Sequence, residues 1–150
     1  LASCTTPRNV VFVCTHNSAR SQLAAGLWQQ LTGQPARSAG TEPAERVHPL
    51  ALSTAARHGL ELGGARPTIA TPALLRGATI ITVCDQAHDD LPRTNASPSS
   101  PPMTRLHWSV PDPVAIGSAR AFERAYEEIA ERISPLAAAK HPTTTKGNQP

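Results

Sequence analysis

A cysteine at position 14 stands six residues before an arginine at position 20, and residues 14–21 read CTHNSARS. Alone, that spacing is a weak signal. Its surroundings strengthen it: the apolar run VVFV ends directly at Cys14, and a helical pattern begins at Ser21. A loop between a strand end and a helix start points successive backbone N–H groups into one concavity, where the helix dipole adds attraction for an anion. This is the phosphate-type oxyanion loop of a cysteine-nucleophile enzyme, with Cys14 as nucleophile. Arg20 closes the loop with a planar fork that binds two oxygens at once, which lysine could not copy. A free thiol titrates near about 8.5 and can fall to roughly 3.5–7.5 at a helix start, so Cys14 is expected to be a thiolate at neutral pH. Ser21 can donate its hydroxyl to that sulfur, and Asn17 can brace the loop through its amide. The candidate oxyanion-binding residues are Thr15, His16, Asn17, Ser18, Ala19, Arg20 and Ser21, with the His16 side chain expected to point outward.

Two further groups could join this chemistry. Asp112 lies in SVPDPVAIGS, residues 109–118, which follows the last expected strand and so returns to the same sheet edge. Asp-Pro pairs commonly form turns, but opposite a cysteine loop the aspartate reads as the general acid. Cys84 follows the β-branched run TIITV, as Cys14 follows VVFV. If the two strands are neighbours, their backbones lie about 5 Å apart, and a disulfide needs Cα atoms roughly 4.4–6.8 Å apart. Chemistry between Cys14 and Cys84 is then geometrically allowed. Cys84, Asp85, His88 and Asp89 lack the spacing of a tetrahedral zinc site, so no metal is expected.

The elements that must place these groups can be read from periodicity. Residues 9–13 form a short apolar strand of the kind covered on both faces. From Ser21 to Leu31 the pattern is helical, with Leu23, Leu27 and Leu31 as its stripe and Gly33 as its stop. Residues 37–40 are a weak second strand. A helix opening near Pro49 carries Ala51, Leu52, Ala55 and Ala56 on its buried side and ends at Gly59. Residues 72–76 make one or two helical turns, 79–83 a third strand and 103–108 a short last strand. Residues 118–139 give the most regular helix, with Phe122, Ala125, Tyr126, Ile129, Ile133 and Leu136 on one face; Pro135 should kink or end it. Strands alternating with helices predict an α/β domain, a parallel sheet with helices on both faces and ligands beyond the carboxyl ends of the strands.

One domain is expected over 9–140, preceded by a flexible N-terminus at 1–8, interrupted by a mobile Pro/Ser-rich loop at 89–102 and followed by a disordered tail at 141–150. The 150 residues can bury a core without staples, and 15 prolines against two Trp, two Phe and one Tyr point to irregular segments around an aliphatic core. A net charge of +3 without any basic run argues against a nucleic-acid partner and suits a small anion. Three cysteines match neither a disulfide framework nor a paired zinc motif. That usage fits the cytoplasm, and no stretch approaches the roughly 18 apolar residues of a membrane span. The chain opens on Leu1 rather than Met, which leaves open a trimmed N-terminus or a longer polypeptide.

Four segments, VFVCTHNSARSQLAAGLW at 11–28, SAGTEPAERVHPLAL at 38–52, TVCDQAHDDLP at 82–92 and HWSVPDP at 107–113, resemble the low-molecular-weight protein tyrosine phosphatase superfamily, including its thioredoxin-coupled arsenate reductase branch. The resemblance runs over roughly residues 9–138. It implies a four-stranded parallel sheet of order 2-1-3-4, with Cys14 as nucleophile, Arg20 as oxyanion binder and Asp112 as acid. Gln22 after Arg-Ser and the HWSVPDPVA stretch are similar to the reductase form; the phosphatases usually place proline at that first position and tyrosines after Asp-Pro, where this chain has Val114 and Ala115. Cys84 stands where the reductases carry their second cysteine. Their third, a few residues on, is replaced by Asp89, Asp90, Leu91 and Pro92, and Cys4 is a poor substitute. Reduction implies no bound cofactor but an external thiol reductant. Three outcomes stay open: Cys84 resolves the adduct and an external reductant such as thioredoxin reopens the bridge; mycothiol or glutathione resolves it directly; or arsenate or phosphate is bound without turnover. Hydrolysis of phosphotyrosine or another aryl phosphate is the competing activity.

Overall fold

The computed structural model describes residues 7–62, 64–91 and 104–138. Four short strands, β1 (Val10–Cys14), β2 (Arg37–Gly40), β3 (Thr79–Thr82) and β4 (Thr104–His107), form one parallel sheet of order β2-β1-β3-β4. The order and direction match the expectation. Every residue of β1 is buried, so both faces of the sheet's centre are covered, as a parallel sheet requires. Phe12 anchors the core between Trp28 and Trp108, each ring centroid 6.1 Å away.

The helices are α1 (Arg20–Thr32), α2 (Pro49–Arg57), α3 (Pro72–Leu75), α4 (Asp85–Asp90), α5 (Pro113–Ile116) and α6 (Ala119–Ala138). The chain leaves α1 through Gly33 in the left-handed region at φ 73°, the conformation that favours glycine at a helix end. α1 packs along α6, and α2 and α5 pack against α6 as well. Among the described residues no helix is long and apolar enough to cross a membrane.

Several boundaries and faces differ from the expectation. Leu31 is exposed while Ala24 and Trp28 are buried beside Leu23 and Leu27, because a four-residue step overshoots the 3.6-residue turn and drifts off the face. On α2 the buried set is Ala51, Thr54 and Ala55; Leu52 and Ala56 each sit one residue, about 100°, round the helix and are exposed. Asp89 and Asp90 belong to α4 rather than to a loop. Pro135 does not end α6, which continues to Ala138. Ile133 and Ala137, one turn apart, are buried against the core, while Pro135 is exposed, where water can take the carbonyl bond that its ring cannot. Residues 1–6, 92–103 and 139–150 lie outside the described residues. With them go Cys4, Pro92, most of the 89–102 loop, the 141–150 tail and the first residue of the expected last strand.

Candidate active site

Cys14 is the last residue of β1, and α1 starts at Arg20, so residues 15–19 span the gap between strand end and helix start. The carbonyls of this loop face the segment after β2. Thr41 N donates to Cys14 O, Glu42 N to Thr15 O, Ala44 N to His16 O and His48 N to Ser18 O, at 2.8–3.2 Å. Gln22 Nε2 donates to the remaining one, Asn17 O, at 3.1 Å. In a trans peptide the N–H points opposite to the C=O, so the N–H groups whose peptide carbonyls face the segment after β2 turn away from that segment. Asn17 N already donates to Cys14 Sγ at 3.2 Å.

Asn17 makes this turn possible. Its φ of 52° is in the left-handed region, which asparagine tolerates better than most residues. Its side chain secures the turn from both ends: Oδ1 accepts from Thr68 N at 2.8 Å and Nδ2 donates to Ser21 Oγ at 2.7 Å. Gly40 lets the loop approach β2, since a Cβ there would meet Thr15 O at 2.6 Å. Gln22, singled out only as a marker of the reductase branch, is buried and also reaches Arg66 O at 3.4 Å. A polar side chain on an otherwise buried helix face was the available signal for that bracing role.

Cys14 itself is buried, with Ser21 Oγ 2.9 Å from its sulfur. Since Ser21 already accepts from Asn17, its own hydrogen is available to the sulfur. Burial nevertheless pushes the Cys14 thiol up; hydrogen bonds from Ser21 and, behind them, the Arg20 charge pull it down, and nearby Cys84 pushes it further up. The sequence expectation of a lowered thiol pKa rests on the helix start, whereas the largest influence on this sulfur is its desolvation, which acts in the opposite direction. Arg20 is turned aside: Nη1 donates to Val110 O at 2.8 Å and Nη2 lies 3.6 Å from Asp112 Oδ1.

Asp112 is half-exposed and also caps α5 by accepting from Val114 N at 3.0 Å, so the turn-forming and cavity-facing readings both describe it. Cys84 is buried at the N-cap of α4. Its sulfur accepts from Ala87 N at 3.4 Å and lies 3.4 Å from Thr15 Oγ1. Cys14 and Cys84 are both free thiols.

A single cleft of about 710 Å³ is lined by Cys14, Thr15, His16, Ser18, Ala19, Arg20, Cys84 and Asp112. Asn17 and Ser21 stand behind it as supports. Sequence reasoning did not single out Glu42, Gln86, Ser109 or Val110 as part of this wall, nor Asp85 except as a rejected metal ligand. They come from the segment after β2, the start of α4 and the segment after β4, and only the fold brings them together. Among the described residues no group of three or more His, Cys, Asp or Glu side chains could hold a metal ion.

Residues 9–145 match the family model described as low molecular weight phosphotyrosine protein phosphatase. The chain is 33% identical to an arsenate reductase of Bacillus licheniformis over 138 residues, 87% of this chain and 95% of that relative. It superposes on the thioredoxin-dependent arsenate reductase Cg_ArsC1' of Corynebacterium glutamicum with a TM-score of 0.65 at 28% identity, covering 91% of this chain and 64% of that one. The tyrosine phosphatase Wzb of Escherichia coli K30, solved with sulphate, shares the fold with a TM-score of 0.71 at 24% identity, over 85% of this chain and 94% of the other. The fold, the strand-loop-helix around Cys14 and the match over nearly the whole chain converge: this chain belongs to the low molecular weight phosphotyrosine protein phosphatase family.

Proposed function

We propose that this chain is a thiol-dependent arsenate reductase in which Cys14 is the nucleophile, Arg20 the oxyanion binder, Asp112 the general acid and Cys84 the resolving thiol. The observation that carries this reading is the pair of free thiols, Cys14 and Cys84, opening into one cleft with Arg20 and Asp112. Arsenate held by the loop N–H groups and Arg20 neutralises the surplus of donors there. The Cys14 thiol gives its proton to a bound arsenate oxygen as its sulfur bonds to arsenic, and one arsenic–oxygen bond breaks as that oxygen leaves as water with a proton from Asp112. Arsenic is still pentavalent at this stage. The Cys84 thiolate then attacks the Cys14 sulfur: a sulfur–sulfur bond forms, the sulfur–arsenic electron pair stays on arsenic, and trivalent arsenite departs. Two thiols have been oxidised and one arsenic reduced by two electrons. The Thr15 hydroxyl and the Ala87 N–H at the Cys84 sulfur fix where that sulfur sits.

An external thiol system must then reopen the bridge. Thioredoxin is named for the Corynebacterium relative, and mycothiol or glutathione would serve the same chemistry or resolve the adduct directly. After Cys84 this chain offers Asp89, Asp90 and a buried Leu91 in place of a third thiol. Two such thiols suit a reducing compartment such as the cytoplasm.

A second reading, hydrolysis of an aryl phosphate, needs only Cys14, Arg20 and Asp112, and is favoured by a cleft wider than a bare oxyanion. Against it, no Phe, Tyr or Trp side chain among the described residues lines that cleft. The deciding experiment gives the purified chain arsenate with thioredoxin, mycothiol or glutathione systems, and separately an aryl phosphate, comparing Cys14→Ser, Cys84→Ser and Asp112→Asn. Arsenite release abolished by Cys14→Ser and Cys84→Ser supports the reductase; release that survives Cys84→Ser removes Cys84 from the mechanism. Aryl phosphate turnover without arsenite under any thiol favours the phosphatase. Protection from unfolding by phosphate with neither activity leaves a binding protein.

A further inference from the structure

Cys84, between β3 and α4, is flanked by two residues that both bond one side chain of β4. Cys84 caps α4, a helix of six residues whose first residue is Asp85. The Asp85 carboxylate reaches back to β4, where it accepts from His107 Nε2 at 2.8 Å. The other ring nitrogen, His107 Nδ1, lies 2.7 Å from Thr82 Oγ1, and Thr82 is fully buried at the end of β3. Thr82 and His107 are also register partners across β3 and β4. One imidazole thus ties down the residue two positions before Cys84 and the residue directly after it. The ring of His88 on α4 stacks on His107 with centroids 4.2 Å apart and planes 19° from parallel. Arg105, also on β4, donates to the His88 carbonyl.

We propose that His107, acting through Asp85, is a positioning residue for Cys84: it clamps the start of α4 to the end of β4 and so holds the Cys84 sulfur against Thr15, within reach of Cys14. This rests on the resolving role proposed for Cys84. The physical need for such a clamp is clear from α4 itself. A helix of six residues is too short to be stable alone, and its only buried residue is Ala87, so apolar burial contributes little to fixing it. A hydrogen bond with a charged partner, made by a half-buried ring that is itself bonded to a buried hydroxyl, supplies the missing constraint. The same hydrogen bond, followed by one from Ser109, holds the Asp85 carboxyl below the usual carboxylate range. Asp85 lies at the cleft wall, and its described side-chain bond runs to His107 rather than to the Cys14 loop.

The test uses the full chain in a single turnover with arsenate, following formation of the Cys14–Cys84 bridge by rapid quench and thiol counting. Phosphate protection against thermal unfolding is measured in parallel as a readout of the Cys14 loop alone. His107→Ala and Asp85→Ala are expected to slow bridge formation by about tenfold while leaving phosphate protection unchanged. Asp85→Asn removes the same charge as Asp85→Ala but keeps an acceptor for His107 Nε2, so it is expected to restore most of the rate. Should His107→Ala fail to fold, the Asp85 pair carries the comparison, since that side chain is largely exposed. Bridge formation as fast in Asp85→Ala as in the wild type overturns the clamp alone. Equal slowing in Asp85→Ala and Asp85→Asn also overturns it, and so does a parallel loss of phosphate protection. A wild-type chain that forms no bridge with arsenate overturns the resolving role of Cys84 and the clamp with it.

Discussion

Arg20 and Asp112 form an ion pair across the mouth of the cleft, with Arg20 Nη2 3.6 Å from Asp112 Oδ1 and Nη1 donated to the Val110 carbonyl. The loop's one guanidinium is thus partly compensated by the residue proposed as the acid. The pair is partly exposed, so its contribution to stability is small. Burial is the largest influence on the Cys14 thiol and pushes it up, while the Arg20 charge is among those that pull it down.

Asp112→Asn should therefore bring the Cys14 pKa down, since the Arg20 charge is no longer offset by a carboxylate. Alkylation of Cys14 by a small neutral reagent, followed against pH in a Cys84→Ser background, gives the midpoint directly. The wild-type midpoint should lie above the ordinary thiol value of 9.0, and the variant's should be lower. Equal midpoints would show that Asp112 does not compensate Arg20.

The raised thiol also links folding to pH. A thiol whose pKa is higher folded than unfolded contributes stability below the unfolded value, about 8.5, and loses it as pH rises through the folded value, because the unfolded chain releases the proton first. Urea unfolding should show stability declining above about pH 8.5, with a shallower decline in Cys14→Ser. A steeper decline in the variant would reverse the assigned direction.

Gly40→Ala would place a methyl group 2.6 Å from Thr15 O and 3.0 Å from Asn17 Cβ. Backbone on both sides leaves little room to yield, so a cost of about 1–3 kcal/mol is expected. Because the displaced atoms belong to the oxyanion loop, phosphate protection should fall together with stability. Unfolding with and without phosphate checks both.

Asn17→Ala and Asn17→Gly both remove the bonds to Thr68 N and Ser21 Oγ, but only alanine keeps the left-handed strain at φ 52°. Alanine should be the less stable of the two by about 1 kcal/mol. Equal stabilities would mean that the loop relaxes out of this conformation once the side chain is gone.

On α2, Glu123 of α6 bridges Arg57 and His58, and the Arg57 hydrogen bond, ahead of those from His58, holds its carboxyl below the usual range. Its contribution is present above the unfolded glutamate value, about 4.3, and lost as pH falls through the depressed one. Glu123→Gln should flatten the acid limb of the stability profile between about pH 4.3 and lower values, leaving phosphate protection at neutral pH unchanged.

Local chemistry made a large part of this protein legible from sequence. The buried β1 run ending at Cys14, Gly33 after α1 and Pro49 opening α2 are signals whose physical cause lies within a few residues. They were enough to place the strand, loop and helix around Cys14, and the alternation of strands and helices predicted a parallel sheet. Where periodicity was stretched to a four-residue step, as at Leu31, or to adjacent residues, as at Leu52 and Ala56, the face was misassigned. α4 was missed because six polar and small residues carry no apolar period; tertiary bonds from Asp85 and His88 to β4 support it instead.

The loop after Cys14 is determined by sequence because its geometry follows from a strand end, a left-handed asparagine and a helix start, all contiguous. The burial that pushes the Cys14 thiol up arises only in three dimensions, from segments distant in the chain. The same holds for Arg20 meeting Asp112 and Val110, for Cys84 sharing the Cys14 cleft and for His107 reaching Asp85. Each of these pairs is brought together by the parallel order β2-β1-β3-β4, which gathers the carboxyl ends of strands far apart in the chain at one edge. Burial and through-space charge depend on that gathering, and no spacing along the chain encodes them.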